Sequence, residues 1–109
     1  MISTDSLLIQ ATIFHQDYTV IETTLLVDSI SPLNMKELNK IEVLSLVDPT
    51  KGVILNGRMP IWLAAYLSHE FHAVCWFAMN DPRLGAVVTQ SHNPVVNVGQ
   101  VIGWKDEKS

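Results

Sequence analysis

A chain of 109 residues that is 48% hydrophobic and only 17% charged has room for one domain around one core, which excludes a modular architecture. Seven Lys and Arg against eleven Asp and Glu leave a formal charge of −4, so the molecule repels long polyanions and is not built as a general DNA or RNA coat protein. The charge is uneven: residues 1–50 carry Lys36 and Lys40 against seven acids, whereas 51–92 carry Lys51, Arg58 and Arg83 against only Glu70 and Asp81, together with His69, His72 and His92.

Along the chain, Ser6 to Phe14 and Tyr18 to Val27 are two runs rich in Ile, Leu, Val and Thr on either side of the polar His15-Gln16-Asp17, the pattern of a hairpin with one wet face. Ser31-Pro32 supplies an N-cap and a first-turn proline for a helix over about 31 to 41, with Leu33, Leu38 and Ile41 as its apolar stripe and Lys36, Glu37 and Lys40 outward. Asp48 to Gly52 reads as a turn, and Val53-Ile54-Leu55 as a short strand buried on both faces. After Asn56-Gly57-Arg58-Met59, Pro60 opens a second helix running to about His69 or Phe71. It is apolar nearly all round and is expected to be central rather than superficial.

Ala73 to Met79 is the next apolar strand, which completes a βαβ unit. Asn80 to Gly85 is a turn, Ala86 to Gln90 a further strand, and Val95 to Trp104 a last strand or hairpin broken by Gly99. The tail Lys105 to Ser109 is expected to fray. The fold class is α/β: a single compact domain over 1–109, with a mixed twisted sheet of five to six strands and two main helices.

Cys75 lies among apolar neighbours and has no second cysteine to pair with, so it reads as a small buried hydrophobe in a reducing cytoplasm. No basic leader precedes an apolar stretch, and no apolar run approaches the roughly 18 residues that span a bilayer. A mean hydropathy of +0.22 in so small a domain points to apolar surface covered by a second copy.

Four short segments are candidates for chemistry. Asn56-Gly57-Arg58 closes a buried strand just before a helix, where open α/β sheets hold ligands and helix N–H groups meet anions. Gly57 lets the backbone come close, and Arg58 offers a planar fork to a phosphate. The alternative is a tight turn with a solvated arginine. His69-Glu70-Phe71-His72 is one residue short of the zinc-protease pattern His-Glu-x-x-His, so Glu70 misses the general-base position and a protease is excluded. His69 suits a helix C-terminus, where a cation meets the dipole.

Asp81-Pro82-Arg83 is ordinary turn chemistry taken alone, yet Arg58 and Arg83 are the only arginines and both follow strands at the same edge of an expected parallel pair. His72 and Asp81 stand nine residues apart, up to about 30 Å along an extended chain, so they meet most readily across two copies. Ser91-His92 is a polar turn in which His92 is a candidate metal ligand beside Asp81 or His72, imidazole and carboxylate suiting manganese or zinc. Trp62, Tyr66, Phe71, Trp76 and Phe77 read as core or interface.

In sequence order, Asp48-Pro49-Thr50-Lys51-Gly52-Val53, Asn56-Gly57-Arg58-Met59-Pro60-Ile61-Trp62-Leu63, His69-Glu70-Phe71-His72, Asp81-Pro82-Arg83-Leu84-Gly85-Ala86-Val87-Val88 and Ser91-His92 resemble the small type III CRISPR-associated ring nuclease family of deadenylating phosphodiesterases. The likeness is strong over about 45 to 103 and holds only in pattern before that. It implies a fold similar to the sensor domains for cyclic oligoadenylates, and cleavage of cyclic tetra-adenylate with Mn2+, which switches off the antiviral signal. It also implies 3′–5′ removal of adenylates from RNA. By resemblance His72, Asp81 and Arg83 are catalytic, Asn56, Gly57, Arg58 and Ser91 contact the ligand, and Asp81, His72 and His92 are metal-site residues. Four phosphates in a ring match poorly with one chain bearing two arginines, so a dimer, or two dimers sandwiching the ring, is expected. A non-catalytic cyclic nucleotide sensor and a purely structural subunit are the competing readings.

Overall fold

The computed structural model describes residues 1–39 and 42–104. The expected helix residues Lys40 and Ile41 and the tail from Lys105 lie outside the described residues.

Seven strands form one sheet in sequence order: β1 (Ile2–Ser3), β2 (Leu7–Phe14), β3 (Tyr18–Leu25), β4 (Gly52–Asn56), β5 (Trp76–Asp81), β6 (Gly85–Ser91) and β7 (Val101–Ile102). The strand beyond those expected is β1, too short for alternation to register, and β7 is a two-residue remnant of the strand or hairpin expected over Val95 to Trp104. Pairing is antiparallel at both edges, while β3, β4 and β5 are parallel. Antiparallel neighbours need only a tight turn, and parallel ones need a crossover. The first crossover carries a 3₁₀ turn over Pro32–Asn34, the single α-turn α1 (Met35–Leu38) and a second 3₁₀ turn over Val43–Leu46. The other is α2 (Ile61–Glu70), which makes β4–α2–β5 the expected βαβ unit.

Ser31 caps the first crossover as its sequence requires: its Oγ accepts from Leu33 N at 3.3 Å, and Asn34 Oδ1 accepts from Ser31 N at 2.8 Å. Both crossovers pack on the same face. Ile21, Val53, Leu55 and Phe77 of the sheet meet Leu38, Leu63, Leu67 and Phe71 there. On the other face Tyr18, Val20, Ile54, Trp76 and Ala78 pack with Trp104, Val96 and Ile102 of the C-terminal segment. Strand β4, covered on both sides, keeps Val53, Ile54 and Leu55 at 0% exposure, as its unbroken apolar run implies.

Three elements differ from expectation. Helix α2 is superficial: Leu63, Leu67 and Phe71, spaced by four, face the sheet, while Ile61 on the outside is 88% exposed. Strand β5 starts at Trp76 because residues 71–74 form a turn, with His72 N donating to His69 O and Val74 N to Phe71 O. The segment after β6 is a chain of turns with only two strand residues. There Asn93 Oδ1 accepts from Val95 N and Gln100 Oε1 from Asn97 N, side-chain bonds that compete with a ladder. Cys75 is half-buried, its Sγ 3.5 Å from Asn93 Nδ2. Among the described residues no helix is long and apolar enough to cross a membrane.

Candidate functional site

Because β3, β4 and β5 run the same way, their carboxyl ends share one edge of the sheet. An open crevice of about 910 Å³ lies there, lined among others by Thr23, Asp28, Gly57, Arg58 and Pro82. Gly57 takes φ +138°, and its Cα sits so close to β3 that a Cβ would stand 2.3 Å from Thr23 O. Arg58 follows β4 and Arg83 follows β5, so the only two arginines do flank adjacent strand ends; both are exposed.

Asp81 is held by its own turn. Its Oδ1 accepts from Arg83 N at 2.8 Å and Leu84 N at 3.1 Å, while Oδ2 makes no hydrogen bond among the described residues. The Arg83 and Leu84 amides, with the Arg83 charge behind them, hold the carboxyl below the usual Asp range. Asp81 is therefore a carboxylate throughout the neutral range. Whatever stability this adds is present above the unfolded pKa and lost as the pH falls through the lower folded one.

Asn56, expected to contact a ligand, has its amide hydrogen-bonded across the sheet. Its Nδ2 donates to both Glu22 oxygens at 3.0 Å, and its Oδ1 accepts from Asn80 Nδ2 at 2.8 Å; Asn80 Oδ1 in turn accepts from Trp104 Nε1 at 2.9 Å. This ladder crosses β3, β4 and β5 on the face away from the helices, immediately before the two arginine turns. Trp104→Phe deletes its last donor and is expected to cost about 1 kcal/mol. For a domain of this size that is a fall of about 4–8 °C in a thermal melt.

The opposite edge holds the imidazoles. His72 is exposed in the turn before β5, its Nδ1 2.9 Å from His69 O, and its ring stacks on His69 at 5.5 Å. A ring nitrogen facing a carbonyl must carry the proton, so neutral His72 presents a basic Nε2 outward. By the same rule His92, with Nε2 3.0 Å from His72 O, keeps its lone pair on Nδ1. Ser91 Oγ is tied into a turn, donating to Asn93 O and accepting from Asn93 N.

The candidate residues thus divide between two edges. Strand β6 returns antiparallel to β5, pairing Asp81 with Gly85 at one end and Trp76 with Ser91 at the other, so Ser91, His92 and His72 share the amino edge. Gly57, Arg58, Asp81 and Arg83 hold the carboxyl edge, a strand length of about 20 Å away. A metal set of Asp81 with His72 and His92 does not form in one chain. Among the described residues no three His, Cys, Asp or Glu side chains converge to hold an ion. Sequence reading also passed over Thr23 and Asp28, which line the crevice, because each looks like ordinary strand or loop polarity.

The fold is a mixed α/β sheet with an open crevice at its parallel strand ends. The chain belongs to the CRISPR-associated protein family Cas_csx3, whose pattern matches residues 26–103. It is also 38% identical over 92 residues to an uncharacterized protein of Aquifex aeolicus (strain VF5), covering 84% of this chain and 82% of the relative.

Proposed function

We propose that the protein is a ring nuclease: a phosphodiesterase that binds cyclic tetra-adenylate and opens it, ending a type III CRISPR signal, and that its working site is shared between copies of the chain. The observation that carries this reading is the pair of arginine turns at adjacent parallel strand ends, with Arg58 lining the open crevice and Arg83 a second hollow that shares Pro82 with it, in a protein that is otherwise acidic. Membership of a CRISPR-associated family supports the signalling context. A dimer would set four arginines, and two facing dimers eight, against a ring of four phosphates.

In this reading Arg58 and Arg83 seat a phosphodiester, and His72 comes from another copy. The ribose 2′-oxygen attacks the adjacent phosphorus: the O2′–P bond forms, the P–O5′ bond breaks, His72 Nε2 takes the 2′ proton, and the departing 5′-oxygen takes one from water. Arg83 stabilises the extra negative charge on the phosphorane. Asp81, always ionised near neutrality, pairs with the imidazolium. Manganese, if bound, would be held by Asp81 of one copy with His72 or His92 of another and would offset charge on the phosphate.

The test is incubation of the purified protein with cyclic tetra-adenylate, with and without manganese or chelator, beside His72→Ala and Asp81→Asn. Asparagine keeps an oxygen for the turn amides and removes only the charge. Wild type is expected to yield linear product, and each variant to lose about 100-fold or more in rate. Ligand bound but uncut by all three would make the protein a binding module, and no binding would leave a structural subunit.

A further inference from the structure

Strands β4 and β5 separate just before the two arginine turns. Their backbone register runs from Gly52 with Trp76 to Leu55 with Met79 and ends there. One residue further on, the side chains continue it through the 2.8 Å bond from Asn80 Nδ2 to Asn56 Oδ1. Beyond that bond, no hydrogen bond among the described residues joins the chain leading to Arg58 with the chain leading to Arg83. Each turn is otherwise tied outward: Gly57 packs on Thr23 of β3, and Asp81 pairs with Gly85 of β6. The gap between the turns is therefore set by two half-buried amides. Either amide could point both ways, and the groups at the flanks decide. The Trp104 indole, 2% exposed, can only donate, and an ionised Glu22 can only accept. Trp104 thus draws the Asn80 oxygen to itself and turns the Asn80 nitrogen to Asn56, which presents its own nitrogen to Glu22.

We propose that Glu22, Asn56, Asn80 and Trp104 are positioning residues for the arginine pair. The bond between the strand ends fixes the spacing of the Arg58 and Arg83 turns, and the carboxylate and indole at its flanks fix its sense. Holding the strands together does not require such a row. Two residues earlier on the same face, Val20, Ile54 and Ala78 align in register with apolar contacts alone, and no amide there has to be desolvated. What an apolar row lacks is a defined spacing and direction. Two guanidinium groups that act on one ligand need both, since a misplacement of about 1 Å at a site can cost about 100-fold in rate. The inference rests on the ring-nuclease reading for the ligand, while the hold of the ladder on the turns stands apart from it.

Reversing the ladder tests this. In Asn80→Asp the new carboxylate still accepts from Trp104 but faces the Asn56 oxygen, and turning Asn56 over sets that oxygen against Glu22 instead. Adding Glu22→Gln supplies the missing donor: the glutamine donates to Asn56, Asn56 to the aspartate, and the ladder closes in the opposite sense. The measurements are KM and kcat for cyclic tetra-adenylate, and hydrogen exchange of the Arg83 and Leu84 amides in the ligand-free protein, all at a temperature where every variant is folded. Asn80→Asp is expected to raise KM about tenfold or more and to speed exchange about three- to tenfold, the worth of one hydrogen bond. Glu22→Gln keeps its acceptor and should lose about threefold or less, and the double variant should return to within about threefold of wild type in both readouts. A double variant no better than Asn80→Asp overturns the ladder. Tighter binding by Glu22→Gln than by wild type assigns the effect to charge and overturns it equally. A purely structural role would lower kcat with the folded fraction and leave KM unchanged, and that result overturns the positioning role while the nuclease reading stands. If exchange follows the expected pattern but wild type neither binds nor cuts the ring, the hold on the turns stands and the nuclease reading fails.

Discussion

Mixing His72→Ala chains with Asp81→Asn chains is expected to restore cleavage of cyclic tetra-adenylate that neither variant performs alone. The reason is the direction of β5, which sets His72 before its first residue and Asp81 at its last. A site that uses both must draw them from different copies. With free exchange of subunits, half the amino edges and half the carboxyl edges are intact, so roughly a quarter of the shared sites are complete and about a quarter of the wild-type rate returns. A rate that stays at the level of the separate variants, after mass spectrometry has verified exchange, would put the whole reaction within one chain. Dilution gives an independent check: a shared site loses specific activity as the assembly dissociates, whereas a self-contained one does not.

The split between the two edges was legible in the sequence because it depends only on a strand running between His72 and Asp81, and any such strand separates its ends. The arginine pair was legible for a similar reason, since two strands joined by a helix are parallel and their following turns share an edge. The amide ladder was not. Glu22, Asn56, Asn80 and Trp104 are linked across gaps of 34, 24 and 24 residues, and only the register between parallel strands, fixed by packing of the crossovers, aligns them. For that reason the sequence offers Asn56 as a ligand contact and does not show the cross-strand tie that it makes in the fold. The outward face of α2 misled in another way. Ile61 and Ala65 give it the composition of an interior helix, while the sheet covers only the stripe from Leu63 to Phe71. Composition records what a helix can bury, and the sheet decides what it does bury.

Gly57→Ala is expected to be strongly destabilising, because two costs fall on one atom. At φ +138° an L side chain is strained against its own backbone, a cost of about 1–3 kcal/mol. The added Cβ would also stand 2.3 Å from Thr23 O and 3.2 Å from Thr23 C, and both are backbone atoms of a central strand that cannot swing aside. Together these predict a loss of about 2–4 kcal/mol, or a melting temperature lower by roughly 10–25 °C. Gly99→Ala is the internal comparison. It too has a positive φ, +93°, but nothing lies within 4 Å of its added carbon, so it carries the strain alone. Equal melting of the two variants would mean that the close approach of Gly57 to β3 contributes nothing. If Gly57→Ala melts far lower, binding measured in the cold, where it is still folded, addresses the site directly. Relief of the clash pushes the Gly57–Arg58 turn away from β3, so cyclic tetra-adenylate should bind more weakly to Gly57→Ala than to Gly99→Ala at the same fraction folded.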